Sequence, residues 1–130
     1  MFQWVMTFLV VMVVMLGGCS EDGPVPTELL GQWFLRGQTC QECASEDGVP
    51  VVDIVLDKHE ARLVVQGGTV TVSASGGDNC ASLGGTNDGL QREIHPFELC
   101  QNNAGHLRGE IQVTTADDRE ISFLMVYFHP

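Results

Sequence analysis

The sequence predicts an all-β fold, an antiparallel meander of seven or eight short strands that closes into a small barrel. Three observations predict it. In several segments apolar and polar residues alternate with a period of two, as in strands with one buried face. Gly, Asn and Asp separate these segments at the spacing of β-hairpins. No segment keeps an apolar period of 3.6 residues, so helices are not expected. A meander protects its edge strands most simply by closing into a barrel.

The first 18 residues are predicted to be a signal peptide and to lie outside the fold. They contain no charged side chain, and the apolar run from Phe2 to Leu16 is too short for a comfortable membrane-spanning helix. A signal peptide usually begins with a positive charge, but no Lys or Arg precedes this run. Either the α-amino group supplies that charge alone, or translation starts further upstream.

The apolar run ends in Leu16-Gly17-Gly18-Cys19, which resembles the lipobox of bacterial lipoproteins. The resemblance implies cleavage before Cys19, acylation of its thiol and a lipid anchor in a membrane of the cell envelope. Ser20 follows the cysteine. In one bacterial group, a serine there usually goes with transfer to the outer membrane rather than retention in the inner one. The alternative is an uncleaved signal anchor or transmembrane helix with an incidental cysteine.

The rest of the chain divides into a short tether and one domain. Residues 19–28 are expected to be the lipidated N-terminus and a polar, Pro-containing tether, and residues 29–130 the disulfide-bonded β domain. Every charged side chain lies after Cys19, so the net charge of −11 belongs to this part. Such a surface repels phosphate backbones, which disfavours nucleic acid as a partner.

Five cysteines are an odd number for an exported chain. If Cys19 carries lipid, four remain, and an even set in an oxidising compartment predicts two disulfides. Three pairings are possible, and the sequence does not decide among them. We favour Cys40–Cys43 and Cys80–Cys100, with a bridge from the Cys40/Cys43 loop to Cys100 as the alternative.

The strands follow from the alternation of apolar residues. The six clearest are predicted over residues 30–35, 52–56, 63–65, 69–75, 106–114 and 121–128. Gln66-Gly67-Gly68-Thr69 is typical of a two-residue hairpin turn. The last strand is almost unbroken in its apolar character, which favours a strand covered on both faces. Turn-forming residues are densest over residues 76–89, where we expect a long loop.

The domain opens with Leu30-Gly31-Gln32-Trp33-Phe34-Leu35, a hydrophobic-Gly-x-Trp pattern. It resembles the first strand of small lipocalin-like β-barrel lipoproteins, in which the tryptophan plugs one end of the barrel. The resemblance implies a lipocalin-like barrel and says little about the ligand. Alternatively, Trp33 is simply a core aromatic residue of an ordinary strand.

The sequence offers little catalytic chemistry. Cys40-Gln41-Glu42-Cys43 has the spacing of a thiol–disulfide oxidoreductase site, but the neighbouring carboxylates raise a thiol pKa and disfavour the reactive thiolate. The cysteine spacing is not that of a zinc ribbon. The four histidines share no ligand spacing, and no nucleophile elbow or phosphate loop is present. The histidines are His59, His95, His106 and His129. We therefore expect a non-enzymatic protein without metal or cofactor.

Two acidic loops, residues 39–48 and 76–89, contain no basic residue and are the expected contact region for a basic partner. Oxygen-bearing residues in the second loop could hold calcium, although the EF-hand order is absent and turn chemistry explains them without an ion. The acidic residues expected to contact the partner are Glu42, Glu46, Asp47, Asp78 and Asp88.

The leading functional hypothesis is a lipid-anchored domain that binds a partner. One alternative is an inhibitor of a lysozyme or another hydrolase. Residues 72–77 are similar to the Ser-Gly motif of membrane-bound inhibitors of c-type lysozyme, but the aromatic residue that should follow is missing and Asp78 lies in that region. The other alternative is a carrier that holds a small apolar ligand inside the barrel, as lipocalins do.

Overall fold

The computed structural model describes residues 23–44 and 47–129. This part of the chain is all-β apart from one turn of 3-10 helix, Thr27–Leu29. Its ten strands are β1 (Gly31–Thr39), β2 (Asp53–Leu56), β3 (Glu60–Val65), β4 (Gly68–Gly77), β5 (Cys80–Leu83), β6 (Thr86–Asn87), β7 (Glu93–Ile94), β8 (Phe97–Gln101), β9 (Leu107–Thr114) and β10 (Glu120–Phe128).

Eight of the strands close into an antiparallel barrel, so the predicted fold class is confirmed. The closed order is β1-β2-β3-β4-β5-β8-β9-β10, because β10 pairs with both β9 and β1. The short strands β6 and β7 lie outside this ring and extend the sheet from β9. Closure gives the first and last strands of the meander a partner and so removes the free edges.

The two ends of the barrel are built differently. The loop end holds the β1–β2 connection, the β3–β4 turn, the segment between β5 and β8, and the β9–β10 turn. The strap end holds the β2–β3, β4–β5 and β8–β9 turns together with the chain that precedes β1. We call residues 23–26 the strap.

Alternation along the strands sends one row of side chains into the barrel. In β3, for example, Ala61, Leu63 and Val65 are buried and the residues between them are exposed. Burial of a large apolar side chain contributes about 1.5–3 kcal/mol. The largest buried side chains in the described chain belong to Trp33, Tyr127 and Phe123. The interior is therefore occupied by bulky side chains rather than left open.

Trp33 lies at the strap end. Its side chain is fully buried, its indole Nε1–H donates to the carbonyl of Leu29 at 2.9 Å, and the His129 ring packs edge-on with 4.6 Å between ring centroids. The 3-10 turn thus satisfies the one polar group of a core residue. Trp33 therefore fills the strap end of the barrel.

The strap is not a free tether, and the predicted boundary at residue 28/29 falls inside the folded unit. The amide of Gly76 donates to the carbonyl of Gly23 at 2.9 Å, and the amide of Val25 donates to the carbonyl of Lys58 at 2.9 Å. The Val25 side chain is buried in the core. Sequence reasoning missed this because the two prolines and the polar residues of segment 19–28 outweigh the one valine that makes the contact.

The expected loop over residues 76–89 is also wrong as a single loop. It contains the β4–β5 turn at the strap end, the strand β5, and then β6 at the loop end. Ala81 and Leu83 of β5 alternate into the core, but four residues are too few to stand out among glycines and asparagines. Residues 78 and 88 therefore lie at opposite ends of the barrel.

The last strand is not covered on both faces, contrary to expectation. Ile121, Phe123 and Met125 point inward, whereas Leu124 points outward and is 43% exposed. A closed barrel has only one buried side, so the outward apolar residues of β10 find partial cover from neighbouring strands, as in the Phe34–Phe128 pair with ring centroids 5.9 Å apart.

Candidate functional site

The loop end carries a cluster of charged side chains that the sequence did not bring together. At its centre Arg92 and Asp88 form a buried ion pair, with 2.8 Å between Nε and Oδ2. The carboxylate of Asp88 also accepts the backbone N–H groups of Leu90 and Arg92 at 2.9 and 3.0 Å. Asp88 is thus fully partnered inside its own loop, in the manner of an Asx turn.

The Arg92 guanidinium also reaches across to the β1–β2 connection. Nη1 donates to the carbonyl of Asp47 and, at 3.4 Å, to that of Gly48, and Nη2 donates to the carbonyl of Val49 at 3.5 Å. A buried guanidinium is tolerated only when it is well hydrogen-bonded, and Arg92 makes four such bonds, including the one from Nε to Asp88. Arg92 therefore binds the segment between β6 and β7 to the β1–β2 connection.

A second arginine links the same connection to the β9–β10 turn. Arg119 donates to Asp47 at 2.9 Å and to Asp117 at 3.1 Å. The pKa of Asp47 is lowered, mainly by the bond from Arg119 and then by the Ala44 amide, which donates at 2.7 Å. The pKa of Asp117 is lowered by the Thr115 hydroxyl and by Arg119. Both carboxylates raise the pKa of Arg119 in return.

A concavity of about 270 Å³ opens over this cluster. Its charged groups are already paired with one another, so it offers no free charge to a ligand. Its one large apolar element is Leu90, which is 48% exposed. The concavity is lined by Asp47, Leu90, Arg92, Thr115, Ala116, Asp117 and Arg119.

A different concavity, of about 340 Å³, lies on the outer wall of the barrel, where β9 and β10 pair at mid-height. We call it the acidic groove. Glu42 of the Cys40–Cys43 loop and Glu110 of β9 line it, none of its described lining residues is basic, and the half-exposed Leu124 adds an apolar surface. The remaining lining residues are Thr39, Gln41 and Ser122.

Four of the five acidic residues expected at a contact surface are described, and they lie in three different environments. Glu42 is exposed and lines the acidic groove, and Asp78 is exposed at the strap end. Asp47 and Asp88 are 6% and 8% exposed, so the expectation that they present free carboxylates is wrong; Arg119 and Arg92 neutralise them. Glu46 lies outside the described residues.

The cysteines pair as the sequence analysis favours. Cys40 is joined to Cys43 at the loop end, and Cys80 to Cys100 at the strap end, where β5 pairs with β8. Glu98 lies close to the second bridge. Glutamate and cysteine can both bind metal ions, but the sulfur atoms of a disulfide are not thiolates and do not act as such ligands. The predicted lipidation residue Cys19 lies outside the described residues.

The histidines are dispersed among turns and strand ends in the described chain. His95 contacts the Thr114 hydroxyl at 2.7 Å, and His129 packs on Trp33. His59 and His106 lie in the β2–β3 and β8–β9 turns of the strap end. This arrangement brings no two of them to one reacting centre.

Comparison of the chain with protein-family models, with curated proteins and with solved structures finds no match. Across residues 23–44 and 47–129, no helix has the length and apolar character needed to span a bilayer.

Proposed function

We propose that this protein is a lipoprotein of the bacterial cell envelope, anchored through acylated Cys19, whose barrel binds a basic protein partner without catalysing a reaction. The observation that carries the anchor is the pairing of the other cysteines. Four of the five cysteines in the chain are joined in two disulfides, so Cys19 is the one left for another role. Its position at the end of a lipobox-like motif supplies that role.

The acidic groove supports the choice of a basic partner. Glu42 and Glu110 face the same concavity, and Leu124 supplies the apolar contact that a binding site needs at its centre. Charge complementarity of this kind mainly raises the rate of association, and it weakens as salt screens it. A basic hydrolase such as a lysozyme is one partner with this chemistry, which keeps the inhibitor alternative in view.

The carrier alternative receives less support. A carrier for an apolar ligand needs an empty interior pocket of several hundred cubic ångströms. Trp33, Phe123 and Tyr127 fill the interior instead, and the two largest concavities described above lie at the surface. Redox catalysis is disfavoured because Glu42 lies between the two cysteines of the Cys40–Cys43 bridge, where its charge opposes thiolate formation.

The anchor is tested by changing its cysteine. In the wild-type chain, mass spectrometry of the N-terminal peptide should find acylated Cys19, and Cys19→Ser should accumulate as uncleaved precursor. Two or three acyl chains, each buried methylene contributing about 0.8 kcal/mol, make membrane release negligible. Finding intact Met1 on the membrane-bound wild-type protein would refute the anchor.

The partner surface is tested with a basic lysozyme as the probe. The double variant Glu42→Gln/Glu110→Gln should lower its association rate, and the loss should shrink as salt rises. The matched control is Asp78→Asn/Glu28→Gln, which removes the same charge from exposed positions at the strap end. Equal rates for the two variants would show that net charge, and not the acidic groove, governs any binding. No binding by the wild-type protein would exclude the lysozyme.

A further inference from the structure

The strap places the predicted lipid anchor beside one end of the barrel. Residue 23 is already hydrogen-bonded to Gly76 of β4, and only three residues separate it from Cys19. Four peptide steps span at most about 14 Å even when fully extended. The Cα atom of Cys19 is therefore limited to about that distance from the edge where the strap joins β4, and its thiol to one short side chain more.

The strap is held by contacts that depend on a missing side chain. Its two backbone hydrogen bonds join it to β4 and to the β2–β3 turn, and Val25 is 3% exposed. A Cβ atom at Gly76 would lie 2.8 Å from Val25 Cα and from the carbonyl oxygen of Pro24, and closer still to Pro26. Only glycine lets the strap approach β4 this closely.

The length of the barrel then separates its two ends from the bilayer by different amounts. Strand β10 has nine residues, which rise about 30 Å along the strand. A tilt of about 40° leaves about 20 Å along the barrel axis. A bilayer reached from the strap end thus lies farthest from the β9–β10 turn. The acidic groove lies between the two ends, because its Leu124 and Glu110 pair midway along β10 and β9.

We propose that the protein stands on the membrane by its strap end, so that the lipid surface faces the β2–β3 and β4–β5 turns and the loop end faces away. This inference rests on the proposed acylation of Cys19. The docked strap leaves only a short link between anchor and barrel, and the acidic groove then lies on the side wall of the barrel, above the bilayer.

The orientation is measurable because the chain has one lysine, Lys58, in the β2–β3 turn of the strap end. The acylated full-length protein carries an amine-reactive dye at Lys58 and is reconstituted into phosphatidylethanolamine/phosphatidylglycerol vesicles with a headgroup-labelled acceptor lipid. In the comparison sample, the double variant Lys58→Arg/Ala116→Lys moves the amine to the exposed β9–β10 turn. Peptide mass confirms each labelled position. Energy transfer should be several-fold stronger from residue 58 than from residue 116; equal or reversed transfer overturns the orientation.

The role of the strap is tested by a neighbouring pair of glycines. Gly76→Ala should displace the strap and increase amide exchange at Val25. Energy transfer to the labelled lipid should then differ less between a dye at residue 58 and a dye at residue 116. Gly77→Ala is the matched control, since a Cβ there meets no atom within 4 Å. It should leave both readouts at the wild-type level. A Gly76→Ala protein that keeps the full difference in transfer would show that the strap does not set the orientation.

Failure of the anchor is distinguishable from failure of the orientation. Wild-type protein that lacks acyl chains and does not sediment with vesicles overturns the proposed anchor, and the orientation with it. Protein that is acylated at Cys19 and sediments, yet shows equal transfer from the two positions, overturns the orientation alone.

Discussion

The two ends of this barrel are closed by different kinds of interaction. At the strap end an apolar plug, Trp33, is covered by a short turn and by His129, and the disulfide Cys80–Cys100 joins two neighbouring strands. At the loop end three separate connections are held together by Arg92 and Arg119 through ion pairs and backbone carbonyls. The strap end is therefore held mainly by the hydrophobic effect, and the loop end by directional polar bonds.

This difference predicts which substitutions destabilise each end. Apolar contacts lose energy in proportion to the atoms removed, whereas a buried charge that loses its partner is left with its full desolvation penalty. The loop end should thus depend steeply on single residues and, to a smaller extent, on pH. The strap end should tolerate both better.

The largest expected effect comes from Arg92→Ala. It leaves the Asp88 carboxylate buried without its cation and frees the carbonyls of residues 47–49. Breaking a buried pair in this way costs about 3–5 kcal/mol of the free energy of unfolding. Urea denaturation should show this loss. Arg108→Ala, at an exposed position of β9, is the control and should change stability by less than about 0.5 kcal/mol. Similar midpoints for the two variants would contradict the assignment of Arg92 as the centre of the loop end.

The disulfides should rank by the length of the loop that each one closes. Cys80→Ser/Cys100→Ser opens a bridge with a sequence separation of 20 and should cost about 3 kcal/mol in the chain-entropy model. Cys40→Ser/Cys43→Ser opens one with a separation of 3 and should cost about 2 kcal/mol. Thermal unfolding of the two variants measures the order. A larger loss from the shorter bridge would mean that the Cys40–Cys43 turn holds the loop end in a way the ion pairs do not.

The smallest expected effect is a dependence on acid. The pKa of Asp47 in the folded protein lies below its ordinary value of 3.8 because of its bond from Arg119. The stabilisation is therefore fully present above about pH 4 and is lost as pH falls through the folded-state pKa. Unfolding free energies measured between pH 6 and pH 2 should fall less steeply in Asp47→Asn than in the wild type. Asp78→Asn, at an exposed position of the strap end, should keep the wild-type slope. Parallel curves for Asp47→Asn and wild type would remove Asp47 from the acid response.

Much of the barrel could be predicted because its long strands carry a clear period of two. The segments around β3, β4 and β9 alternate strictly. The hairpin between β3 and β4 lies where it was expected, although its two central residues are Gln66 and Gly67 rather than the two glycines. The strands β5 to β8 were missed because each has two to five residues and is surrounded by turn formers. A short strand gains its stability from neighbours on both sides, and a single sequence does not show those neighbours.

The candidate site was predicted only in part. Glu42 is where an exposed acidic loop would place it, but its partner in the acidic groove is Glu110, which comes from a strand 68 positions later in the chain. The sequence around Asp47 and Asp88 is typical of exposed acidic loops. It does not indicate that Asp47 forms an ion pair with Arg119, which lies 72 residues away. A buried arginine such as Arg92 gives no signal either, because its isolated charge suggests a surface position.

The sequence by itself determined the features that depend on local pattern. These are the all-β class, the alternation of strands and turns, the acidic balance of the chain, and a cysteine count that separates Cys19 from an even set of four. Only the tertiary structure decided which loops share an end of the barrel, which carboxylates are neutralised, and that the strap packs beside Gly76. The physical reason is that strand formation follows from the pattern of neighbouring residues. Ion pairing and close packing depend instead on distances between residues far apart in the chain, and barrel closure sets those distances.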